Sequence, residues 1–210
     1  MAIAIAHFSY TWGYYTLLTH LPSYMKDILD FDLQKSGFIS AIPYLALSLL
    51  LFVSGYLADK LQENGLLSTT QVRKYFNNLS FFGEMMFLLM AAYFTNPTTI
   101  ITCITLSVGL GAFSISGYFV NALDLAPQFA SIIIGISNTF ATLPGLVSPV
   151  LTGFIVQTPS ESEYKTVFFI ASGVYSVGIF FYAIFASGKL QVWAVESTER
   201  TIQRTVTTKI

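Results

Sequence analysis

Six apolar runs, about residues 1–21, 36–57, 79–94, 98–120, 130–156 and 167–187, take up most of the chain and set what it can fold into. A helix needs about 20 residues to cross the hydrocarbon core. Five runs meet that length directly, and the third does so once its ends extend. Lipid offers no partner to a free backbone N–H or C=O, so a spanning segment is either a helix or a strand of a closed barrel. Barrel strands alternate apolar and polar side chains, whereas these runs are nearly continuous. The sequence therefore predicts an all-α integral membrane protein, a six-transmembrane-helix bundle over 1–190 with a polar cytoplasmic tail over 191–210. Composition agrees: 54% of the 210 residues are hydrophobic and 10% charged, where a soluble domain carries about a quarter charged.

Orientation follows from lysine and arginine, which concentrate in cytoplasmic loops. Of the 10 basic residues, Lys60, Arg73, Lys74, Lys189, Arg200, Arg204 and Lys209 fall on one side, and Lys26, Lys35 and Lys165 on the other. The bias places the N-terminus, the Ala58 to Asn77 loop and the tail in the cytoplasm. No basic residue precedes Lys26, so a cleaved leader is not expected.

A net charge of −1 gives no footprint for a polyanion, and nucleic acid is not an expected partner. The one cysteine, Cys103, cannot form an intrachain disulfide. No HExxH helix, intramembrane aspartate pair or complete Ser-His triad is present, so no enzyme, metal site or cofactor is expected.

The polar residues within the spans fall in stripes. At 100° per residue, His7, Tyr10, Thr11 and Tyr14 share a face of the first span, with Tyr15 beside them. Ser131, Gly135, Asn138, Thr142, Gly145 and Pro149 stripe the fifth, and Ser107, Gly111 and Ser114 the fourth. Such stripes either face a wet cavity, as the Gly- and Pro-interrupted helices of transporters do, or let helices pack closely. Ionisable groups within a span cost several kcal/mol, which draws attention to His7 and Glu84. His7 exchanges protons near neutral pH and is the proton-coupling candidate; Glu84 is read as a structural group bonding a neighbouring helix. Asp59 and Lys60 in GYLADK, and Asp124 in NALDLAP, lie at the cytoplasmic side as candidates for gating or structural ion pairs.

GYLADK resembles the cytoplasmic-loop signature of the major facilitator superfamily. The runs AHFSYTWGYYTLLTHLPSYMKDIL, NALDLAPQFASIIIGISNTFATLPGLVSPV and ASGKLQVWA are more specific. They resemble its anion:cation symporter family, the sialin-like group that also holds the vesicular glutamate transporters and sodium-phosphate cotransporters. The resemblance extends to about Ala194. It implies helices seven to twelve of a twelve-helix carrier, two inverted three-helix repeats partnered by an N-terminal six-helix half. The first, second, fourth and fifth spans would face the central cavity, and the third and sixth would be peripheral. It further implies a small anionic substrate, an acidic sugar such as sialic acid or an acidic amino acid, moved with protons or sodium or by the membrane potential in a lysosomal, vesicular or plasma membrane. Tyr10 stands where vesicular glutamate transporters have arginine, which favours the sialin side. The arginines that hold a carboxylate would come mostly from the other half. On this reading Tyr10, Tyr15, Tyr44 and Asn138 bind substrate. The alternatives are a truncated, non-transporting isoform or incomplete fragment of such a carrier, and a sodium-dependent phosphate or organic-anion cotransporter.

Overall fold

The computed structural model describes residues 1–195, and the regular structure among them is helical. Most of the expected tail, 196–210, lies outside the described residues. Helix α1 covers Ala2–Asp27 and α2 covers Leu33–Glu63. Helix α3 runs Thr69–Tyr93, and α4 runs Pro97–Ser114. The latter continues through a π turn, Ile115–Phe119, into the short α5, Asn121–Leu125. A 3-10 turn, Pro127–Phe129, leads into α6, Ala130–Ile155, and α7 covers Glu161–Phe185.

Helices α2, α3 and α7 begin ahead of their apolar runs because their polar N-terminal ends are capped. The Asp32 carboxylate accepts the Lys35 N–H at 2.8 Å and starts α2 before the apolar run begins. Ser68 and Gln71 form a reciprocal capping box for α3, as Ser160 and Glu163 do for α7. Each satisfies N–H groups that the first helical turn leaves without partners. The third helix thus begins at Thr69, ten residues ahead of its apolar core, and the expected Ala58 to Asn77 loop shrinks to residues 64–68. Gly65 makes that turn possible with φ of 65°, a conformation costly for any residue with a Cβ.

The six long helices alternate in direction. One end of the bundle gathers Met1–Ala4, Leu125 and Phe185–Ser187 around one cleft, and there Gly188 N–H donates to Thr70 Oγ1 at 2.9 Å. The opposite end gathers Leu29, Phe94, Ile100 and Tyr164. Helix α1 packs on α6 and α7, α3 on α4 and α7, and α2 on α4. At the α1–α3–α7 junction, a Cβ built on Gly178 would come within 2.7 Å of Phe81 and Ser9, so glycine sets how closely these helices approach.

Four segments are long and apolar enough to cross a membrane by length and composition: Leu33–Glu63, Pro97–Leu125, Pro127–Ile155 and Glu161–Phe185. Helices α1 and α3 have comparable length, 26 and 25 residues, but are less apolar. Their polar groups are turned inward: His7, Ser9, Thr11 and Thr16 of α1, and Arg73, Asn77, Ser80 and Glu84 of α3, are all buried. By contrast α2 and α6 expose rows of large apolar side chains, among them Phe38, Leu45, Leu49 and Phe52, and Ile132, Ile136, Leu143 and Leu146.

Candidate functional site

Facing residues of α1 and α6 enclose an open cavity of about 480 Å³. From α1 come His7, Tyr10, Thr11, Tyr14 and Tyr15, the face that the 100° spacing assembles. From α6 come Asn138, Ala141, Thr142, Gly145 and Leu146. The volume is in the range that takes a small metabolite. The wall is phenolic, hydroxyl and amide, and His7 is the only lining side chain that can become a cation at ordinary pH.

Several of these side chains are fixed by their neighbours. His7 Nδ1 lies 2.8 Å from Ser137 Oγ, which ties α1 to α6. The Thr11 hydroxyl donates to the His7 carbonyl at 2.5 Å. The His7 ring is tilted against Tyr118 with centroids 5.1 Å apart. Tyr10, Tyr14 and Tyr15 form a continuous ring array, Tyr10 stacked on Tyr14 at 5.8 Å and Tyr14 edge-on to Tyr15 at 5.4 Å. Offset and edge-to-face pairs of this kind hold aromatic rings in place while leaving hydroxyls free to bond.

Of the four residues expected to bind substrate, Tyr10, Tyr15 and Asn138 line this cavity, and Tyr44 does not. Tyr44 stands behind Tyr14, edge-on at 5.7 Å, with its hydroxyl buried and lacking a hydrogen-bond partner. The Tyr14 ring separates it from the open space. The two stripes of small residues also part company. In α6, Asn138 and Thr142 face the cavity while Gly145 seats the Tyr15 ring. In α4, Ser107, Gly111 and Ser114 are buried packing contacts. Ser137, the partner of His7, lies one position off the α6 stripe and escaped the sequence reading.

Glu84, read as bonding a neighbouring helix, lies in the interior of the bundle. Helix α3 does stand away from the α1–α6 cavity, yet the carboxyl points into the bundle and is 3% exposed. Ser80 Oγ contacts Glu84 Oε1 at 3.0 Å, and the Tyr175 hydroxyl bonds the same carboxyl. A Cβ built on Gly111 would touch the Tyr10 ring at 3.1 Å and Glu84 Oε2 at 3.4 Å, so these two groups converge on one spot of α4.

Asp124, expected as one member of a cytoplasmic ion pair, has a partner the sequence did not reveal. Arg73, placed in a loop by the apolar pattern, sits in the second turn of α3 and is 5% exposed. Its Nε donates to Asp124 Oδ2 at 2.6 Å and its Nη2 to Asp124 Oδ1 at 3.2 Å, while Nη1 donates to the Ser116 carbonyl at 2.8 Å. That carbonyl belongs to the π turn. Asp59 and Lys60 are exposed at the end of α2, and the ion pairs among the described residues are Arg73–Asp124 and Lys165–Glu161.

Residues 1–149 match the Major Facilitator Superfamily. The chain is 43% identical to human sialin over 195 residues, 92% of this chain and 39% of sialin, and 42% identical to sheep sialin over the same shares. It is also 42% identical to human vesicular glutamate transporter 2 over 193 residues, 92% of this chain and 33% of that protein. The chain belongs to the anion:cation symporter family of the Major Facilitator Superfamily. It spans about two fifths of the length of the sialins it matches. As a member of this superfamily it is a multi-pass membrane protein, and the inward-turned polar faces of α1 and α3 are consistent with that setting. Identity over the matched 92% of the chain barely separates the sialins from the glutamate transporter.

Proposed function

We propose that this chain forms the C-terminal six-helix half of a secondary carrier for small organic anions, with α1, α2, α3, α4, α6 and α7 as its spans. The cavity between α1 and α6 receives the ligand, and a complementary six-helix half closes it. Both chain ends lie in the cytoplasm, where Lys60, Lys74 and Lys189 sit beside the Arg73–Asp124 end of the bundle. The carrier works in a lysosomal, vesicular or plasma membrane, coupled to protons or sodium or driven by the potential.

The observation that carries this reading is the composition of the cavity wall. Tyr10, Tyr15, Asn138 and Thr142 offer hydroxyls and an amide to an open space of metabolite size. Such a wall suits a polyhydroxylated, carboxylated ligand, and an acidic sugar fits it better than an acidic amino acid, which has no hydroxyls to satisfy. A site built to hydrogen-bond a ligand discriminates strongly against analogues lacking the matching group. The ligand carboxylate needs a cation; His7 supplies one when protonated, and the other half supplies the rest.

The test is uptake of radiolabelled sialic acid, with glutamate as competitor, into proteoliposomes holding the complete carrier. Tyr10→Phe and Tyr15→Phe each remove one hydroxyl and keep the ring packing. Each is expected to raise KM about three- to tenfold, the cost of one hydrogen bond. Unchanged affinity and rate in both variants would move the site elsewhere.

A further inference from the structure

The cavity uses only one face of the bundle's polar interior, and it leaves Glu84 without a role. Ser80 stands beside that carboxyl. The Ser80 hydroxyl carries one proton and makes two short contacts, to the Leu110 carbonyl at 2.7 Å and to Glu84 Oε1 at 3.0 Å. A carbonyl can only accept. Ser80 Oγ is the donor in both contacts, so its one proton is divided between two acceptors, and a carboxylic acid at Glu84 donating back to Ser80 Oγ would relieve that competition where a carboxylate would not.

The surroundings agree with a neutral acid. The ionisable groups facing Glu84 are tyrosines: Tyr10 from α1, Tyr175 from α7 and Tyr118 from the π turn. Tyr14 of α1 and Tyr44 of α2 lie one ring further out, and α4 brings the uncharged Ser107, the Leu110 carbonyl and Gly111 beside Glu84. Among the described residues no lysine, arginine or histidine pairs with it. An ionised carboxylate buried without a cation is far costlier than a hydrogen-bonded acid.

We infer that Glu84 is a proton-carrying group of the carrier, read out at the ligand cavity through Tyr10. Tyr10 joins the two places, since it lines the cavity and shares the Gly111 contact with Glu84 Oε2. The Glu84 O–H proton passes to water when the transport cycle admits water to the carboxyl, leaving a carboxylate, and hydronium from that water returns it before the site closes. Nothing but the proton moves, and the residue alternates between acid and carboxylate. His7, in contrast, is bonded to Ser137 on the far side of Tyr118 and serves the ligand rather than the proton. The inference rests on the reading of this chain as half of a coupled carrier.

The experiment compares wild type with Glu84→Gln and Glu84→Asp in proteoliposomes holding the complete carrier, with the membrane potential clamped at zero. Counterflow exchange of radiolabelled sialic acid reports binding and the conformational cycle without net proton movement. Accumulation against an imposed one-unit pH gradient reports coupling, and one coupled proton supports about tenfold accumulation. Glu84→Gln is expected to keep counterflow and lose the gradient-driven accumulation, and Glu84→Asp to retain part of it. Accumulation that survives in Glu84→Gln overturns the inference while leaving the carrier reading intact. Absence of any wild-type flux for sialic acid or glutamate overturns the carrier reading instead. Infrared spectroscopy of the wild-type protein decides the proton assignment in either case. A protonated-carboxyl band that disappears as pH is raised, and is missing from Glu84→Gln, supports it; no such band, or one that never changes, refutes it.

Discussion

Removing the Asp124 carboxylate should be among the most destabilising single changes available in this chain. The Arg73 side chain is 6% exposed and Asp124 16%, so neither charge is well hydrated. Arg73 makes three hydrogen bonds, two to Asp124 and one to the Ser116 carbonyl. In Asp124→Ala only the carbonyl remains, and a guanidinium stays buried beside an empty site. Breaking a buried pair from one side costs about 3–5 kcal/mol. At about 2–4 °C per kcal/mol for a unit of this size, the unfolding midpoint should fall on the order of 10 °C. Asp124→Asn keeps one acceptor and should lose about half as much. Replacing both partners, as Arg73→Met with Asp124→Leu, should recover most of the loss, because the main penalty is the orphaned charge rather than the missing attraction. The assay is thermal unfolding of the detergent-solubilised carrier for all four proteins. A shift below about 2 °C in Asp124→Ala, or a double variant no better than that single one, would refute the reasoning.

Gly117→Ala places a Cβ 2.7 Å from the Asn77 nitrogen and 2.8 Å from its Cβ, and because backbone must yield it should cost about 1–3 kcal/mol by the same unfolding assay. Tyr44→Phe removes a buried hydroxyl without a partner and should leave stability unchanged or raised by up to about 1 kcal/mol; a rise in ligand KM in that variant would return Tyr44 to the binding site. A cysteine at the exposed Lys189 should resist an impermeant thiol reagent in intact cells and react after permeabilisation, and labelling from outside would invert the topology.

What the sequence made legible and what it hid divide along one physical line. Apolar runs and the 100° spacing of His7, Tyr10, Thr11 and Tyr14 are local properties, and the corresponding helices and cavity face are both present in the structure. Helix ends were missed although their signals are local too: Ser68 with Gln71, and Ser160 with Glu163, are capping boxes lying outside the apolar runs. Hydropathy counts only residues that lipid tolerates, and a helix continues wherever its terminal N–H groups find partners. The contacts that set the interior polar chemistry are long-range. Arg73 and Asp124 are 51 positions apart, His7 and Ser137 are 130 apart, and Glu84 meets Tyr10 only because α1 and α3 converge on Gly111.

The same division explains why the fourth-span stripe could not be interpreted from spacing. A row of Ser and Gly reads alike whether it faces water or another helix. In α4 the row is occupied: Ser107 donates to the Glu84 carbonyl, Ser114 to the Gly111 carbonyl, and Gly111 holds Tyr10 and the Glu84 carboxyl in one place. In α6 the row is partly empty, and nothing lies within 4 Å of a Cβ built on Gly135. Occupied stripes lock helices together, and empty ones border the space a ligand or a second half can fill. The α1–α6 pair is joined by the His7–Ser137 contact at 2.8 Å, by His20 Nε2 on the Pro149 carbonyl at 3.1 Å, and by the Tyr15 ring seated on Gly145.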